Sequence, residues 1–343
     1  MAEDVRIGVI GAGWFVSRRH LPDIQRCPGA RLVALCRRDP EKLARMAEHF
    51  GVPSAYTDYR QMLAEEPLDA VLIATPHALH FGQAREALAR GLHVLLEKPM
   101  ALHAGEARAL VALAREKGKH LLVALNPPYW AHCHLLRQWV RDGRIGKIES
   151  VDIHWLGSAM HVFGKAPLPD SLPGVVPPTL FRGNPELGGG GQLVDGGSHL
   201  ISELLWVTGL RVTRVSAVMD DPDTDLCTAL LLETDAGAPC TLTMRSDSAC
   251  PQRRVSSTYY GSAGTARVSA MPFTLTLSDT GGDEEMVSEG EMARVPTPSA
   301  DFLAAIRGQS QPLGSPEHAA EVVAAIEAAY RSARSGTTQY IIL

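Results

Sequence analysis

The sequence predicts an α/β protein: a doubly wound parallel sheet, then an α+β domain with an open, mostly antiparallel sheet. Two observations carry this prediction. In the first 125 residues, short runs rich in β-branched residues alternate with segments of helical period, as in parallel strands joined by helices. After residue 126, strand-like segments mostly follow one another directly. We therefore predict two domains, 1–125 and 126–343.

The first domain contains five predicted strands, each a short apolar run, and five helical segments lie between them. Asp39 precedes Pro40 as a helix N-cap, and Gly51 and Gly118 stand where helices should end. The predicted strands are Val5–Ile10, Arg31–Cys36, Ala70–Ala74, Leu92–Leu96 and Leu121–Leu125. The predicted helices are Phe15–Arg26, Pro40–Phe50, Tyr59–Glu65, Leu79–Arg90 and His103–Lys117.

The second domain begins with a helix and a long strand, and then leaves regular structure. Residues 165–185 are rich in proline and predict an irregular excursion, which is often a binding loop. Alternating segments over 212–277 predict an antiparallel sheet, and the polar stretch 278–291 predicts a loop. The remaining predicted elements are helix His132–Arg141, strand Ile148–Leu156, a helix ending at Val207, and helices Ser299–Arg307 and Pro316–Ser335.

Composition excludes several function classes. The formal net charge is −5, which argues against a nucleic-acid partner and against anionic membranes. No apolar run is long enough for a transmembrane helix, and we expect no export signal before the strand at Val5. The six cysteines form no C-x-x-C pair, so we expect a reduced, cytoplasmic protein, although one disulfide stays possible.

A glycine turn follows the first strand and opens a helix. Gly11-Ala12-Gly13, with Trp14 and Phe15 after it, stands where a Rossmann dinucleotide fingerprint belongs. The glycines let the main chain approach a pyrophosphate, and the helix N-terminus stabilises its charge. The fingerprint G-x-G-x-x-G has a third glycine that serves helix–strand packing, and Val16 stands in its place here. The alternative is a tight turn without a ligand.

Two arginines follow the second strand, where an acidic residue would select NAD by accepting from the ribose 2′-hydroxyl. Arg37 stands there instead, with Arg38 beside it. A guanidinium suits a 2′-phosphate, so we expect NADP to be preferred over NAD. The alternative is that Arg37 points into solvent and NAD binds through main-chain contacts.

These landmarks, together with later motifs, resemble the glucose–fructose oxidoreductase / inositol dehydrogenase / rhizopine catabolism superfamily of NAD(P)-dependent sugar and cyclitol dehydrogenases. The resemblance covers nearly the whole chain and implies a Rossmann domain followed by an α/β domain with a large open sheet. It rests on Gly11-Ala12-Gly13, Ala74-Thr75-Pro76-His77 with His80, Glu97-Lys98-Pro99, Asn126, Phe181-Arg182, residues 189–199 with Asp195 and His199, and Gly261-Ser262-Ala263-Gly264-Thr265.

The resemblance makes Lys98 the substrate-orienting catalytic lysine and places Glu97 at the nicotinamide ribose. Lys98 follows an apolar strand, so its ammonium is expected at the carboxyl end of the parallel sheet, where ligands bind. Asp195 and His199 are spaced i, i+4 and would share a helix face. A carboxylate beside an imidazole suits acid–base work, so we predict that His199 takes the hydroxyl proton and that Asp195 supports it.

Other residues have weaker support. By resemblance, Thr75 and Pro76 line the nicotinamide ribose site, with His77 and His80 beside them, and Asn126 meets the ribose or carboxamide. Candidate substrate contacts are Tyr129, His154 and Arg182. No metal-ligand spacing stands out, so we predict no metal site. Pro128 and Ser202 depart from the family pattern, as Val16 does.

The sequence therefore predicts an oxidoreductase that moves a hydride between nicotinamide C4 and a carbinol or carbonyl of a sugar, amino sugar or cyclitol. Two alternatives stay open: a dehydrogenase or reductase of a non-sugar substrate such as a dihydrodiol or an imine, and an inactive nucleotide-sensing regulator. Apolar segments such as Cys227–Leu232, with few helices after them, predict a homodimer or homotetramer formed through the C-terminal sheet.

Overall fold

The computed structural model describes residues 4–168, 175–250 and 252–341, and its contacts divide the chain into two compact units. Part of the proline-rich excursion, residues 169–174, lies outside the described residues. The single predicted boundary at residue 125 leaves out two later segments that belong to the first unit. Unit 1 comprises Met1–Ala124, Gly164–Phe181 and Pro296–Ala320, and unit 2 comprises Leu125–Phe163, Arg182–Val295 and Glu321–Leu343.

A six-stranded parallel sheet forms the centre of unit 1. Its strands are β1 (Val5–Ile10), β2 (Ala30–Cys36), β3 (Ser54–Tyr56), β4 (Ala70–Ile73), β5 (His93–Leu96) and β6 (Leu121–Val123). The order β3-β2-β1-β4-β5-β6 is that of a Rossmann sheet, in which dinucleotides bind where the order reverses, at the ends of β1 and β4. The five predicted strands are confirmed. β3 escapes prediction because its three residues form no apolar run.

The helices confirm most of the predicted spans to within a few residues. Asp39 caps its helix by accepting from the main-chain N–H of Lys42, and Gly51 ends it at φ +63°, as the sequence predicts. The α-helices among the described residues are α1 (Leu21–Gln25), α2 (Pro40–Phe50), α3 (Tyr59–Glu65), α4 (His80–Ala89), α5 (Ala104–Lys117), α6 (Ala131–Arg141), α7 (Pro185–Gly188), α8 (Ser198–Thr208), α9 (Pro298–Ile306) and α10 (Pro316–Ser335). None of the helices described is long and apolar enough to cross a membrane.

The predicted helix over Phe15–Arg26 differs from the structure in its first turn. The chain forms a π-helical turn over Val16–His20 before α1 begins. Pro22 has no N–H for the α-helical ladder, and the N–H of Leu21 donates to the carbonyl of Val16, five residues back. The glycine turn therefore leads into a widened turn.

Unit 2 is built on a nine-stranded sheet, antiparallel except where β7 and β10 pair in parallel. Its strands are β7 (Ile148–Leu156), β8 (Val212–Met219), β9 (Cys227–Thr234), β10 (Pro239–Arg245), β11 (Arg254–Gly261), β12 (Gly264–Ala270), β13 (Thr274–Asp279), β14 (Glu284–Ser288) and β15 (Gln339–Tyr340). The loop predicted over 278–291 is wrong in part, because β14 forms a hairpin with β13 inside it. An acidic, polar strand at a sheet edge carries no apolar alternation that would reveal it.

The face of this sheet away from α8 carries mostly hydroxyl and charged side chains. Strand register places eight residues in one row across that face: Ser216, Leu231, Thr241, Asp152, Thr258, Arg267, Thr276 and Met286. Leu231 and Met286 are exposed, but their neighbours in the row are polar. The sequence-based expectation of an uncovered apolar face is therefore wrong, and the homo-oligomer stays a prediction without that support.

The opposite face packs against α8 and encloses a buried polar cluster. The Tyr259 hydroxyl donates to Glu203 of α8 at 3.0 Å, and Glu203 is 2% exposed. Donor atoms of His132, Cys133 and Glu203 lie within 4.8 Å of one another. Burial raises the pKa of Glu203, and it raises the pKa of Cys133 well above its usual value. Burial also lowers the pKa of His132 to about 4. Burial thus favours the neutral form of all three groups.

The raised pKa of Glu203 predicts a pH-dependent stability. Between the unfolded-state pKa and the higher folded-state pKa, the folded protein binds more protons, so stability falls as pH rises. Glu203→Gln removes this titration, and we expect the variant to lose less stability than the wild type between pH 5 and pH 8 in denaturant unfolding. Glu149→Gln, at an exposed position of β7, is the control and should track the wild type. Parallel pH curves for Glu203→Gln and the wild type would contradict this account.

Candidate active site

The glycine turn after β1 accepts no side chain at its first position. Gly11 has φ +89°, and a Cβ there would lie 2.7 Å from the main-chain carbonyl of Ala74. The N–H groups of Gly11 and Ala12 both donate to the carbonyl of Cys36, at 3.0 and 3.1 Å. The turn is therefore fixed against Cys36, the last residue of β2, and Ala74, the first residue after β4. Gly13 completes the turn.

Arg37 lies over this turn rather than in solvent. Its Nη1 donates to the carbonyl of Ala12 at 2.7 Å and would be 3.9 Å from a Cβ at Gly13. Its Nε is buried and has no hydrogen-bond partner among the described residues. Burial lowers the pKa of Arg37, and an unsatisfied buried donor costs free energy. The half-buried guanidinium beside the glycine turn offers positive charge and N–H donors to a phosphate, so these residues fit a nucleotide cofactor.

The remaining residues near the turn are more open. Arg38 is exposed, and Phe15 is 39% exposed. Trp14 is half-buried, with the Arg18 guanidinium 5.5 Å from its ring centroid. The main-chain N–H of Val176 donates to Ser17 of the first helical turn at 3.2 Å, so a late segment of unit 1 contacts this region.

The segment after β4 carries the next residues that the sequence predicts at the cofactor. The Thr75 hydroxyl donates to Gln83 of α4 at 2.6 Å, and Pro76 precedes a short turn of 3-10 helix. His77 is buried, and its ring meets the edge of the Phe181 ring at 5.0 Å. His80 is fully buried at the start of α4. The predicted residues therefore gather at the carboxyl end of β4, where the Rossmann rule places ligands.

Glu97 and Lys98 lie at the carboxyl end of β5, next to β4 in the sheet. Oε1 of Glu97 contacts Nε2 of His20 at 2.7 Å in a buried pair, and Oε2 accepts from the main-chain N–H of Lys98 at 3.2 Å. Lys98 is half-buried. His20 is a residue that sequence reasoning missed, since a histidine in a helical segment carries no signal of a partner 77 residues away.

In unit 2, Asn126 lies against the ring of His199. The main-chain N–H of Asn126 donates to Nδ1 of His199 at 3.3 Å, and the side-chain amide is 3.3 Å from Nε2. The sequence places Asn126 at the cofactor, whereas the described contacts make it a group that orients His199. A main-chain N–H only donates, so Nδ1 accepts at the first contact, and the second contact sets the side-chain amide nitrogen of Asn126 against Nε2.

Asp195 forms an ion pair with Arg182, with Nε of Arg182 2.8 Å from Oδ1 of Asp195. Both side chains are largely buried. Asp195 lies in a π-helical turn, Leu193–Gly197, that runs directly into α8, so the segment is helical as predicted but widened at its start. The structure thus brings together two predicted substrate contacts, Arg182 and Asp195.

Of the remaining substrate candidates, His154 lies apart from these residues. His154 alternates with the inward-facing Ile153 and Trp155, so it lies on the face of the sheet away from α8, exposed and beside Thr243. The structure therefore corrects the prediction that His154 contacts the substrate, because His199, the predicted acid–base residue, belongs to α8 on the other face. Tyr129 ends a turn of 3-10 helix directly after Asn126.

One functional element went unpredicted: the buried carboxylate of Asp225. It accepts from the main-chain N–H groups of Gly191 and Leu193, at 3.0 and 2.8 Å, and from the hydroxyls of Tyr330 and Thr228. Burial raises the pKa of Asp225, while the four donors act in the opposite direction. Asp225 therefore fixes the chain just before Asp195 and His199.

Comparisons with known proteins agree with this architecture. A profile of the oxidoreductase family with an NAD-binding Rossmann fold matches residues 5–125, and the GFO/IDH/MocA C-terminal domain matches residues 133–267. The chain is 31% identical, over 69% of its length and 67% of the relative's, to dTDP-3,4-didehydro-2,6-dideoxy-alpha-D-glucose 3-reductase of Saccharopolyspora spinosa. It is 27% identical, over 96% and 88%, to D-apiose dehydrogenase of Paraburkholderia graminis.

A solved structure, an oxidoreductase domain protein from Kribbella flavida, superposes with a TM-score of 0.88 at 22% identity, over all of both chains. At that identity the likeness concerns the fold. Both parts of the chain are thus accounted for by one known architecture.

The anchoring by Asp225 predicts a loss of both stability and turnover when its carboxylate is removed. Asp225→Asn would place an amide N–H against groups that themselves donate, so we expect stability to fall by about 2 kcal/mol or more. Denaturant unfolding measures the loss. Asp223→Asn, at an exposed ion pair with Arg334 close by in the chain, should change stability by less than about 1 kcal/mol. Equal stabilities of the two variants would contradict the role of Asp225.

Proposed function

This chain belongs to the GFO/IDH/MocA oxidoreductase family, and we propose that it interconverts a carbinol and a carbonyl of a sugar, amino sugar or cyclitol. The observation that carries the proposal is the setting of His199, whose ring Asn126 contacts at both nitrogens, on the helical segment that also presents the ion-paired Asp195. The relatives named above, a dTDP-sugar reductase and a D-apiose dehydrogenase, support a sugar-like substrate.

A bound nicotinamide cofactor supplies the hydride chemistry, accepting or returning a hydride at C4. The residues that would hold it are Gly11 and Gly13 at the pyrophosphate, Thr75 and Pro76 after β4, and Glu97 after β5. Arg37 lies at the glycine turn after β1, where its guanidinium can give a charge-assisted hydrogen bond to a 2′-phosphate. We therefore infer a preference for NADP over NAD.

The proposal assigns Lys98 of unit 1 and His199 of unit 2 as catalytic groups. Lys98 presents an ammonium, which can donate to a hydroxyl or to a carbonyl oxygen as negative charge develops there. His199, whose Nδ1 accepts from the main-chain N–H of Asn126, is the proposed acid–base group: it takes the hydroxyl proton when the alcohol is oxidised and returns a proton when the carbonyl is reduced.

An aromatic cluster beside His199 bears on the substrate class. The rings of Trp130 and His199 are 6.0 Å apart, and Trp130 also neighbours His132 and Phe273. An aromatic face suits the C–H side of a sugar or cyclitol ring, while Asp195 and Arg182 suit its hydroxyls. The same cluster favours the second candidate, a dihydrodiol or another cyclic non-sugar substrate. A nucleotide-sensing regulator would bind the cofactor and turn over nothing.

The experiment that tests the proposal is a substrate screen. Sugars, amino sugars, cyclitols and cyclic dihydrodiols are assayed with NAD, NADP and their reduced forms, and absorbance of the reduced nicotinamide is followed in both directions. We expect turnover within the polyol classes. Turnover confined to dihydrodiols would establish the second candidate, and cofactor binding with no turnover would refute the enzyme assignment at these residues.

Removing either proposed catalytic group should slow turnover strongly and spare cofactor binding. We expect Lys98→Ala and His199→Ala each to lower kcat by about 10²- to 10⁴-fold, because each removes a positioned donor or acid–base group. Cofactor affinity, measured by titration, should change little. Lys117→Ala and His154→Ala, at exposed positions, are the controls. Wild-type turnover by either active-site variant would overturn the corresponding role.

The cofactor preference rests on Arg37 and has its own test. We expect Arg37→Asp to weaken NADP binding by about 10- to 100-fold, since a charge-assisted hydrogen bond is lost and a carboxylate repels the 2′-phosphate. NAD affinity should hold or improve. Arg31→Asp, exposed on β2, is the control. Titrations are followed by fluorescence of Trp14 beside the turn. Tighter binding of NAD than of NADP by the wild type would reverse the preference.

A further inference from the structure

His80 makes two contacts that a neutral histidine cannot both satisfy. Its Nδ1 lies 2.7 Å from the carbonyl oxygen of Pro99, and its Nε2 lies 2.9 Å from the carbonyl oxygen of Thr75. Both partners only accept hydrogen bonds. A neutral imidazole has one N–H, so one nitrogen lone pair would face a carbonyl oxygen at hydrogen-bond distance. An imidazolium has two N–H groups and satisfies both.

The groups around His80 act on its charge in both directions, and burial has the largest effect. The side chain is fully buried. Burial lowers the pKa of His80, as does the Lys98 ammonium, while the two carbonyls and the Glu97 carboxylate raise it. The other titratable group described beside it is His77, with ring centroids 5.8 Å apart. Desolvation opposes the charge, but a neutral ring would leave a repulsive contact at 2.7 or 2.9 Å.

The two carbonyls belong to the two segments that carry the proposed site of unit 1. Thr75 follows β4 and Pro99 follows β5, and these strands are neighbours in the sheet. His80 opens α4, which also holds the Thr75 hydroxyl through Gln83. A single side chain therefore connects the segment with Thr75 and Pro76 to the segment with Glu97 and Lys98.

We propose that His80 is held as an imidazolium whose two N–H groups tie the segment after β4 to the segment after β5, which makes it a positioning residue for Lys98. Loss of the proton releases one of the two carbonyls, and the spacing between the segments is no longer fixed. The catalytic meaning of that spacing rests on the proposed function, whereas the charge state of His80 does not.

The charge state is measured directly by ¹⁵N NMR of histidine-labelled wild-type protein without substrate. At pH 7.5 we expect one of the 13 histidines to show two protonated ring nitrogens that persist on raising the pH past the usual range of histidine. His80→Gln assigns that signal by its disappearance. A single protonated nitrogen at His80 at pH 7.5 would overturn the imidazolium, whatever the enzyme activity.

The positioning role is measured by hydrogen exchange of the peptides that span residues 74–79 and 96–101. In His80→Gln, a neutral amide replaces the cation, and we expect exchange in both peptides to rise about tenfold, as for loss of a hydrogen bond. His49→Gln, at an exposed position of α2, is the control. Unchanged exchange in both peptides would refute the connection between the segments. If His80→Gln does not fold, the ring signal of His80 is assigned in the wild type by through-bond correlation to its main chain, and that signal still decides the charge state.

The outcomes separate this proposal from the proposed function. A doubly protonated His80 in a protein that turns over no substrate leaves the imidazolium intact and removes only the catalytic meaning of Lys98. A neutral His80 in an active enzyme refutes the imidazolium and leaves the proposed function intact.

Discussion

The position of the proposed acid–base segment depends on one buried carboxylate, that of Asp225. Glycine at 191 is required there, because a Cβ would lie 2.1 Å from the main-chain carbonyl of Asp225. With no side chain in the way, the carboxylate receives main-chain N–H groups on both sides of residue 192, and the following π-helical turn presents Asp195. The site in unit 2 is therefore built by satisfying main-chain donors, and its polar side chains follow from that.

Unit 1 uses the same principle with the charges reversed. Its strand ends and its glycine turn expose main-chain carbonyls, and cationic or cation-forming side chains satisfy them. Arg37 donates to Ala12, and His80 lies between the carbonyls of Thr75 and Pro99. A carbonyl held by a charged donor is fixed more firmly than one held by water, because charge-assisted hydrogen bonds are the stronger ones. The segments proposed to bind cofactor are thereby set before any ligand arrives.

Local patterns in the sequence predict the fold well and the contacts of the site only partly. Apolar runs and helix caps are local, so β1, α2 and α10 are predicted with the observed bounds. Contacts between distant residues have no local signal, which is why His20 with Glu97 and Asp225 with Gly191 are missed. His154 fails for another reason: alternation along β7 shows two faces, but the sequence does not show which face α8 covers.

Two of the three departures from the family pattern, Val16 and Ser202, fall at packing positions. Val16 is 1% exposed and stands where a third glycine would allow close helix–strand packing. Here the helix begins with a π-helical turn in which the carbonyl of Val16 accepts from Leu21, so the larger side chain occurs together with a wider turn. Ser202 is likewise fully buried in α8. Because such residues contact the core, their replacement changes how a helix is seated, while Gly11, Lys98 and His199 keep the groups that the chemistry requires.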